Sequence, residues 1–299
     1  MSDGVDVCDP ASPERADALL AWFDARRRDL PWRRTRDPWA VLVSELMLQQ
    51  TQVARVVGRY EAFLERWPTP ADCAASPVGE VVGAWAGLGY NRRAVNLHRC
   101  ATEVVAVHGG RLPGELAELL ALPGIGPYTA RAVLAFAFEE PGVGVVDTNA
   151  ARLHARWANR TLRPAEVQAS ADAAVPDGET WRWNQAVLDL GATVCRSRRP
   201  ECPTCPVERW CGWRAAGDDP DPAIGSAGVS GRQSTFAGSD RQGRGRLVDA
   251  LRAGPVPAAR LADAMGWPDD PERARRVAAT VVADGLAVVD ATGTHHLPT

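Results

Sequence analysis

Four cysteines, Cys195, Cys202, Cys205 and Cys211, stand in the order Cys-x6-Cys-x2-Cys-x5-Cys. Packing does not generate such a cluster, whereas four neighbouring thiolates can surround one metal centre, either zinc or iron–sulfur. Zinc sites usually pair their cysteines as two CxxC knuckles. Here a single CxxC lies between two wide gaps, which favours a [4Fe–4S] cluster. Cys8, Cys73 and Cys100 are scattered and read as small apolar residues or free thiols.

Two carboxylates suggest a second chemistry. Glu45 interrupts the apolar run Leu42–Leu48, an odd place for an exposed charge, although a solvated helix face is the plain alternative. Asp147 follows Val145-Val146 and precedes Thr148-Asn149, where an aspartate serves equally well as a helix N-cap. Cleavage of a glycosidic bond through an oxocarbenium-like state needs one proton donor and one anion, and a carboxylate pair supplies both. All 34 basic residues are arginine, so no side chain can form a Schiff base.

The third element is Leu122-Pro123-Gly124-Ile125-Gly126-Pro127-Tyr128-Thr129-Ala130, set between two helical stretches. Gly124 and Gly126 allow a tight hairpin whose N–H groups, with the next helix N-terminus, make an anion site. This is a helix–hairpin–helix, which grips a DNA phosphate without reading sequence. The net charge of −3 lacks the basic excess of many nucleic-acid binders. Only local arginine clusters remain: Arg26–Arg28, Arg33–Arg34, Arg92–Arg93 and Arg196, Arg198 and Arg199.

These residues must be positioned by helices. Apolar spacing predicts a helical run over 39–66 and further helices near 78–86, 91–107, 114–121, 127–138, 147–158, 165–173 and 181–194. The region up to residue 213 is therefore expected to be all-α. Residues 214–243, rich in Gly, Ser, Asp and Pro, read as a linker. Residues 244–299 read as three helices and a short hairpin, the order of a winged helix, with a mere packing module as the alternative. In the winged-helix reading Arg244, Arg246, Arg252 and Arg260 would meet DNA phosphates, while Ser234–Ser239 or the wing is a rival reader of the opposite base. No apolar run approaches ~20 residues and the N-terminus is acidic, so a cytoplasmic protein is expected.

The segments PWRRTRDPW, SELMLQQTQV, GLGYNRRAVNLH, LPGIGPYTA, VDTN, NQAVLDLGATVC and the cysteine loop occur in that order. Together they closely resemble the MutY-type adenine DNA glycosylases of the helix–hairpin–helix superfamily, over about residues 20–213. The resemblance implies a six-helix barrel over about 31–134, an iron–sulfur domain from 1–30 plus 135–213, and a monomer acting on mismatched double-stranded DNA. It makes Glu45 the acid that protonates the adenine ring and Asp147 the stabiliser of the cationic sugar, with Asn149 and Tyr128 beside them. Arg28, Leu30, Trp32, Arg33, Leu48, Val53 and Gln185 map to the adenine pocket, and Gln50 and Tyr90 to a wedge entering the duplex. Gly124, Gly126 and Thr129 fall in the DNA-binding hairpin.

In strand-cutting relatives of the endonuclease III type the residue at position 128 is a lysine; here it is tyrosine, so a monofunctional enzyme is implied. Longer members carry a pyrophosphatase-like C-terminal domain that reads 8-oxoguanine, and residues 244–299 are too short for it. Two other readings stand beside adenine excision opposite 8-oxoguanine or guanine. One is a thymine or uracil mismatch glycosylase of the same fold; the other is a cluster-bearing DNA-binding or redox-sensing protein without enzymatic activity.

Overall fold

Three helices start at a hydroxyl or carboxylate cap followed by proline, at Ser12, Thr69 and Asp270. Ser12 Oγ accepts the Arg15 N–H ahead of Pro13, and Thr69 forms a reciprocal capping box with Asp72 ahead of Pro70. The computed structural model describes residues 12–227 and 235–299, so Cys8 and Ser234 lie outside the described residues. The first helices are α1 (Pro13–Arg26), α2 (Pro38–Leu48), α3 (Val53–Arg66), α4 (Pro70–Ala75), α5 (Val78–Ala84), α6 (Arg92–His108) and α7 (Leu116–Ala121). They are followed by α8 (Pro127–Val133), α9 (Thr148–Ala158), α10 (Pro164–Ala173), α11 (Thr180–Thr193) and α12 (Gly212–Ala215). The chain closes with α13 (Asp240–Ala253), α14 (Leu261–Met265), α15 (Pro271–Ala283) and the antiparallel pair β1 (Val288–Val289) and β2 (His295–His296). The all-α expectation holds, with this small hairpin as the described sheet.

The helical run expected over 39–66 is two helices, because Arg93 intervenes. Its guanidinium donates to the carbonyls of Leu46, Met47 and Gln49, the groups a helix end leaves without partners. With those carbonyls satisfied, α2 stops and Gln50 turns left-handed at φ +53.

The described residues form two compact units. One draws on residues 12–38, 114–116 and 126–227; the other on 39–113, 117–125 and 235–299. In the first, α11 packs against α1 and α9, with Phe23, Leu153, Trp183 and Leu190 buried between them. In the second, α6 packs on α4 and α5, and Val82, Trp85, Leu97 and Val104 are buried.

The linker expected over 214–243 is in part packed structure. The Ala227 N–H donates to Leu162 O at 2.9 Å, Ser226 is buried, and Asp221 pairs with Arg156 at 2.6 Å. At its other end α13 begins at Asp240, capped by Ser239. The helices α13–α15 share a core of Leu247, Leu251, Leu261, Met265, Val277 and Val281. This module is seated on α5 and α6 of its own unit: the Gly79 N–H donates to Pro298 O at 2.8 Å. A Cβ at position 79 would lie 2.3 Å from that oxygen, so only glycine fits. Among the described residues no helix is long and apolar enough to cross a membrane.

Candidate active site and metal centre

Asp147 is both a helix cap and a held carboxylate. At the N-cap of α9, its Oδ1 accepts the N–H groups of Asn149 and Ala150 at 2.8 and 2.7 Å. Its Oδ2 accepts the Asn149 side-chain amide at 2.9 Å. Burial raises its pKa, against the opposing pull of these hydrogen bonds. Asn149 is fixed in turn. Its Oδ1 accepts Arg152 Nη2 at 2.8 Å, and a Cβ at Gly191 would come within 2.6 Å of the Asn149 Cβ. Glycine at 191 therefore allows α11 to approach the start of α9.

Arg152 carries the network onward, from Asn149 to Gly191 O at 2.7 Å and Cys195 O at 2.8 Å. A continuous chain of hydrogen bonds thus joins Asp147 to the first cysteine of the loop. One turn later Arg156, fully buried, donates to Cys195 Sγ at 3.1 Å. Sequence reading missed both arginines. Their signal is present, since each is a long charged residue buried among the apolar positions of α9.

Cys195, Cys202, Cys205 and Cys211 line one small cavity walled by Leu153, Trp157 and Trp213. Burial pushes the Cys205 thiol up to about 12 and Cys211 to about 11, although backbone N–H groups near each sulfur pull the other way. Cys202 is raised as well, so burial keeps these three as thiols, and a metal centre reverses that balance by binding thiolates. Among the described residues no group of three or more His, Cys, Asp or Glu side chains is set to hold a metal ion.

The expected adenine-pocket arginines meet a buried acid. Arg33 donates to both oxygens of Asp189 at 2.8 Å and to Arg28 O at 3.2 Å, and its guanidinium lies over Phe23. Arg28 Nε donates to Asp189 Oδ1 at 2.7 Å. Burial opposes ionisation of Asp189, but the two guanidinium groups prevail and hold its pKa below the ordinary value. Arg33 is thereby committed to a buried ion pair, while Arg28 keeps an exposed flank. Leu30 and Trp32 are buried beside this segment, and Gln185 is buried one turn before Asp189 on α11. Tyr128 is half-buried in the first turn of α8, and Thr129 is buried.

In the other unit, Glu45 sits on α2 among Leu42, Val43, Leu46 and Met47, only 5% exposed. Leu48 and Val53 are half-buried on either side of the break after α2. Gln50, Tyr90, Phe236 and Arg241 line a single cleft of about 800 Å³. Tyr90 is 45% exposed and, like Gln50, left-handed, at φ +45. Arg93 ties the two turns together, donating to Thr51 Oγ1 and to the carbonyls of Leu88 and Gly89 as well as to the end of α2. Burial lowers its pKa to about 10. As one of an arginine pair Arg93 reads as a surface charge; it is a buried fastener.

Gly124, at φ +79, faces Asn96, which a Cβ would meet at 2.6 Å. Gly126 is different, since its φ is not positive and a Cβ there would meet nothing within 4 Å. Neither its turn nor its packing requires glycine, which leaves open space before the helix start.

Residues 43–176 match the family of HhH-GPD superfamily base excision DNA repair proteins. The chain is 42% identical over 287 residues to an adenine DNA glycosylase of Mycobacterium tuberculosis, covering 94% of this chain and 92% of that one. A human adenine DNA glycosylase is 43% identical over 210 residues, 65% of this chain and 38% of the other. Among solved structures, a thermostable thymine-DNA glycosylase is similar at a TM-score of 0.63 and 29% identity, over 68% of this chain and 97% of that one.

Proposed function

The chain belongs to the adenine DNA glycosylases of the HhH-GPD superfamily, and on that premise we propose that it excises adenine mispaired with 8-oxoguanine or guanine and leaves the DNA strand intact. The observation that carries this reading is the fixed Asp147 carboxylate, held by Asn149 beyond what a helix cap requires.

In this reading the target nucleotide leaves the stack. Glu45 delivers a proton to the adenine ring, and the N-glycosidic bond breaks with its electron pair passing to the base. Asp147 stabilises the cationic sugar until water adds at the anomeric carbon and yields its proton to the carboxylate that the first step left on Glu45. The absence of lysine removes the side-chain amine that a strand-cutting branch needs. Arg28, Gln185 and Trp32 would bound the adenine, with Arg33 shaping the segment through Asp189. Gln50 and Tyr90 would enter the duplex, and the open face at Gly126 leaves room for a phosphate.

Cys195, Cys202, Cys205 and Cys211 would hold a [4Fe–4S] cluster. Four cysteine sulfurs around one small cavity are the donor set that such a cluster takes, and the single CxxC between two wide gaps favours it over a zinc knuckle. Such a cluster supplies charge and cross-linking to the loop, and Arg156 supplies an N–H to its first sulfur.

Excision from end-labelled duplexes bearing A:8-oxoG, A:G, T:G and U:G tests the assignment. Cleavage confined to the two adenine substrates supports it. Thymine or uracil release without adenine release would transfer the chain to the mismatch-glycosylase reading.

A further inference from the structure

The turn that carries Tyr90 is held from two directions. Arg93 fastens it to the end of α2, as described above. The second hold comes from the C-terminal module. Arg252, on α13 and only 13% exposed in its side chain, donates from Nε and Nη2 to Val82 O at 3.2 and 2.9 Å. The same Nη2 donates to Asn91 Oδ1 at 2.8 Å, and Asp249 pairs with Nη1. Val82 lies in α5 and Asn91 caps α6, so one guanidinium bridges the two sides of the loop containing Tyr90. Asn91 makes no side-chain capping bond to its own helix. Its oxygen serves Arg252 instead. The neighbouring Arg92 is tied to the same module through Asp284 at 3.3 Å.

Tyr90 is held left-handed, a conformation an aromatic L-residue rarely adopts. A side chain that enters a duplex must resist the restacking of the bases it separates, so its backbone has to be stiff. We propose that Arg252 is a positioning residue for base extrusion: through Asn91 and Val82 the C-terminal module braces the Tyr90 turn. This inference rests on the glycosylase reading. It also replaces the expectation that Arg252 meets a DNA phosphate, since its guanidinium faces protein carbonyls.

The test uses the full chain and duplexes with 2-aminopurine next to the mispaired adenine, whose emission rises when its neighbour leaves the stack. In a Glu45→Gln background, which blocks excision, the emission should rise on binding, and adding Arg252→Ala should remove most of that rise at saturating protein. In the excising background Arg252→Ala should lower single-turnover excision about tenfold, the order of one charge-assisted hydrogen bond, with unchanged affinity for matched duplex. Asn91→Ala should produce the same defect, the double variant should be no worse than Arg252→Ala, and Arg252→Lys should fall between.

Two outcomes overturn the proposal. Weaker matched-duplex binding with a shallower salt slope and full extrusion at saturation would make Arg252 a phosphate contact. A lower melting temperature with extrusion and rate intact would make it merely structural. If the unmodified chain excises no base and Glu45→Gln gives no emission rise, the glycosylase reading itself fails, a result distinct from either.

Discussion

The two candidate catalytic carboxylates occupy contrasting surroundings, one in each unit of the fold. Glu45 is enclosed by the apolar side chains of α2, whereas Asp147 is pinned by three hydrogen bonds at the start of α9. An enclosed carboxyl suits proton delivery, and the hydrogen bonds on Asp147 oppose the burial that raises its pKa, favouring the negative charge that a cationic sugar needs beside it. The difference shows how one functional group can take two roles through its neighbours alone.

The largest effect should come from removing the charge while keeping the shape. Asp147→Asn leaves a good N-cap, because asparagine caps as well as aspartate. Fold and melting temperature should therefore survive while single-turnover excision falls at least ~10²–10⁴-fold, and Glu45→Gln should cost a similar factor. Retention of more than a tenth of the rate in the Asp147→Asn protein would reduce Asp147 to a cap.

A second break concerns the loop at the far end of the Asp147 network. Cys202→Ser should abolish the broad absorbance near ~400 nm and the bound iron of the purified protein. Stoichiometric zinc in the parent protein would refute the cluster assignment.

Next in size is the buried pair. Arg33→Ala removes two charge-assisted hydrogen bonds from buried Asp189, leaving Arg28 as its guanidinium partner, and should cost ~1.5–3 kcal/mol in denaturant unfolding. A cost near zero would mean that Arg33 is kept for the pocket and not for the fold.

The effect that is smallest near neutral pH is a pH dependence. Burial lowers the pKa of His154 to about 3, and its Nδ1 is 2.9 Å from Ser170 Oγ. The unfolded chain takes up a proton there near pH ~6.5 that the folded chain refuses. Stability should therefore fall as pH drops below ~6.5, by at most ~1.4 kcal/mol per pH unit, until the folded value is reached. His154→Gln should flatten this slope in urea melts between pH 4 and 6.5; an unchanged slope would assign the acid sensitivity elsewhere.

Motifs that act through backbone or through several like residues were legible in the sequence: the cysteine loop, the Gly124 turn and the cap at Asp147. What escaped were arginines whose partners are distant in sequence. The break between α2 and α3 is invisible in the apolar spacing because its cause, Arg93, lies more than forty residues downstream. Arg33 and Asp189 are likewise joined only by folding. The stretch from Asp218 to Ala227 reads as linker by composition, yet Asp221 and Ser226 anchor it to Arg156 and Leu162. Arg252 was expected at a DNA phosphate for a related reason: its partners Val82 and Asn91 lie more than 160 residues away in the chain.

The central claim is hydrolytic removal of adenine without strand cleavage. Its most direct test is single-turnover reaction on a labelled A:8-oxoG duplex, divided into portions run with and without hot alkali. The account predicts free adenine and a full-length strand that breaks only in the alkali-treated portion. Strand breaks of equal amount in both portions, or no adenine released in either, would contradict it.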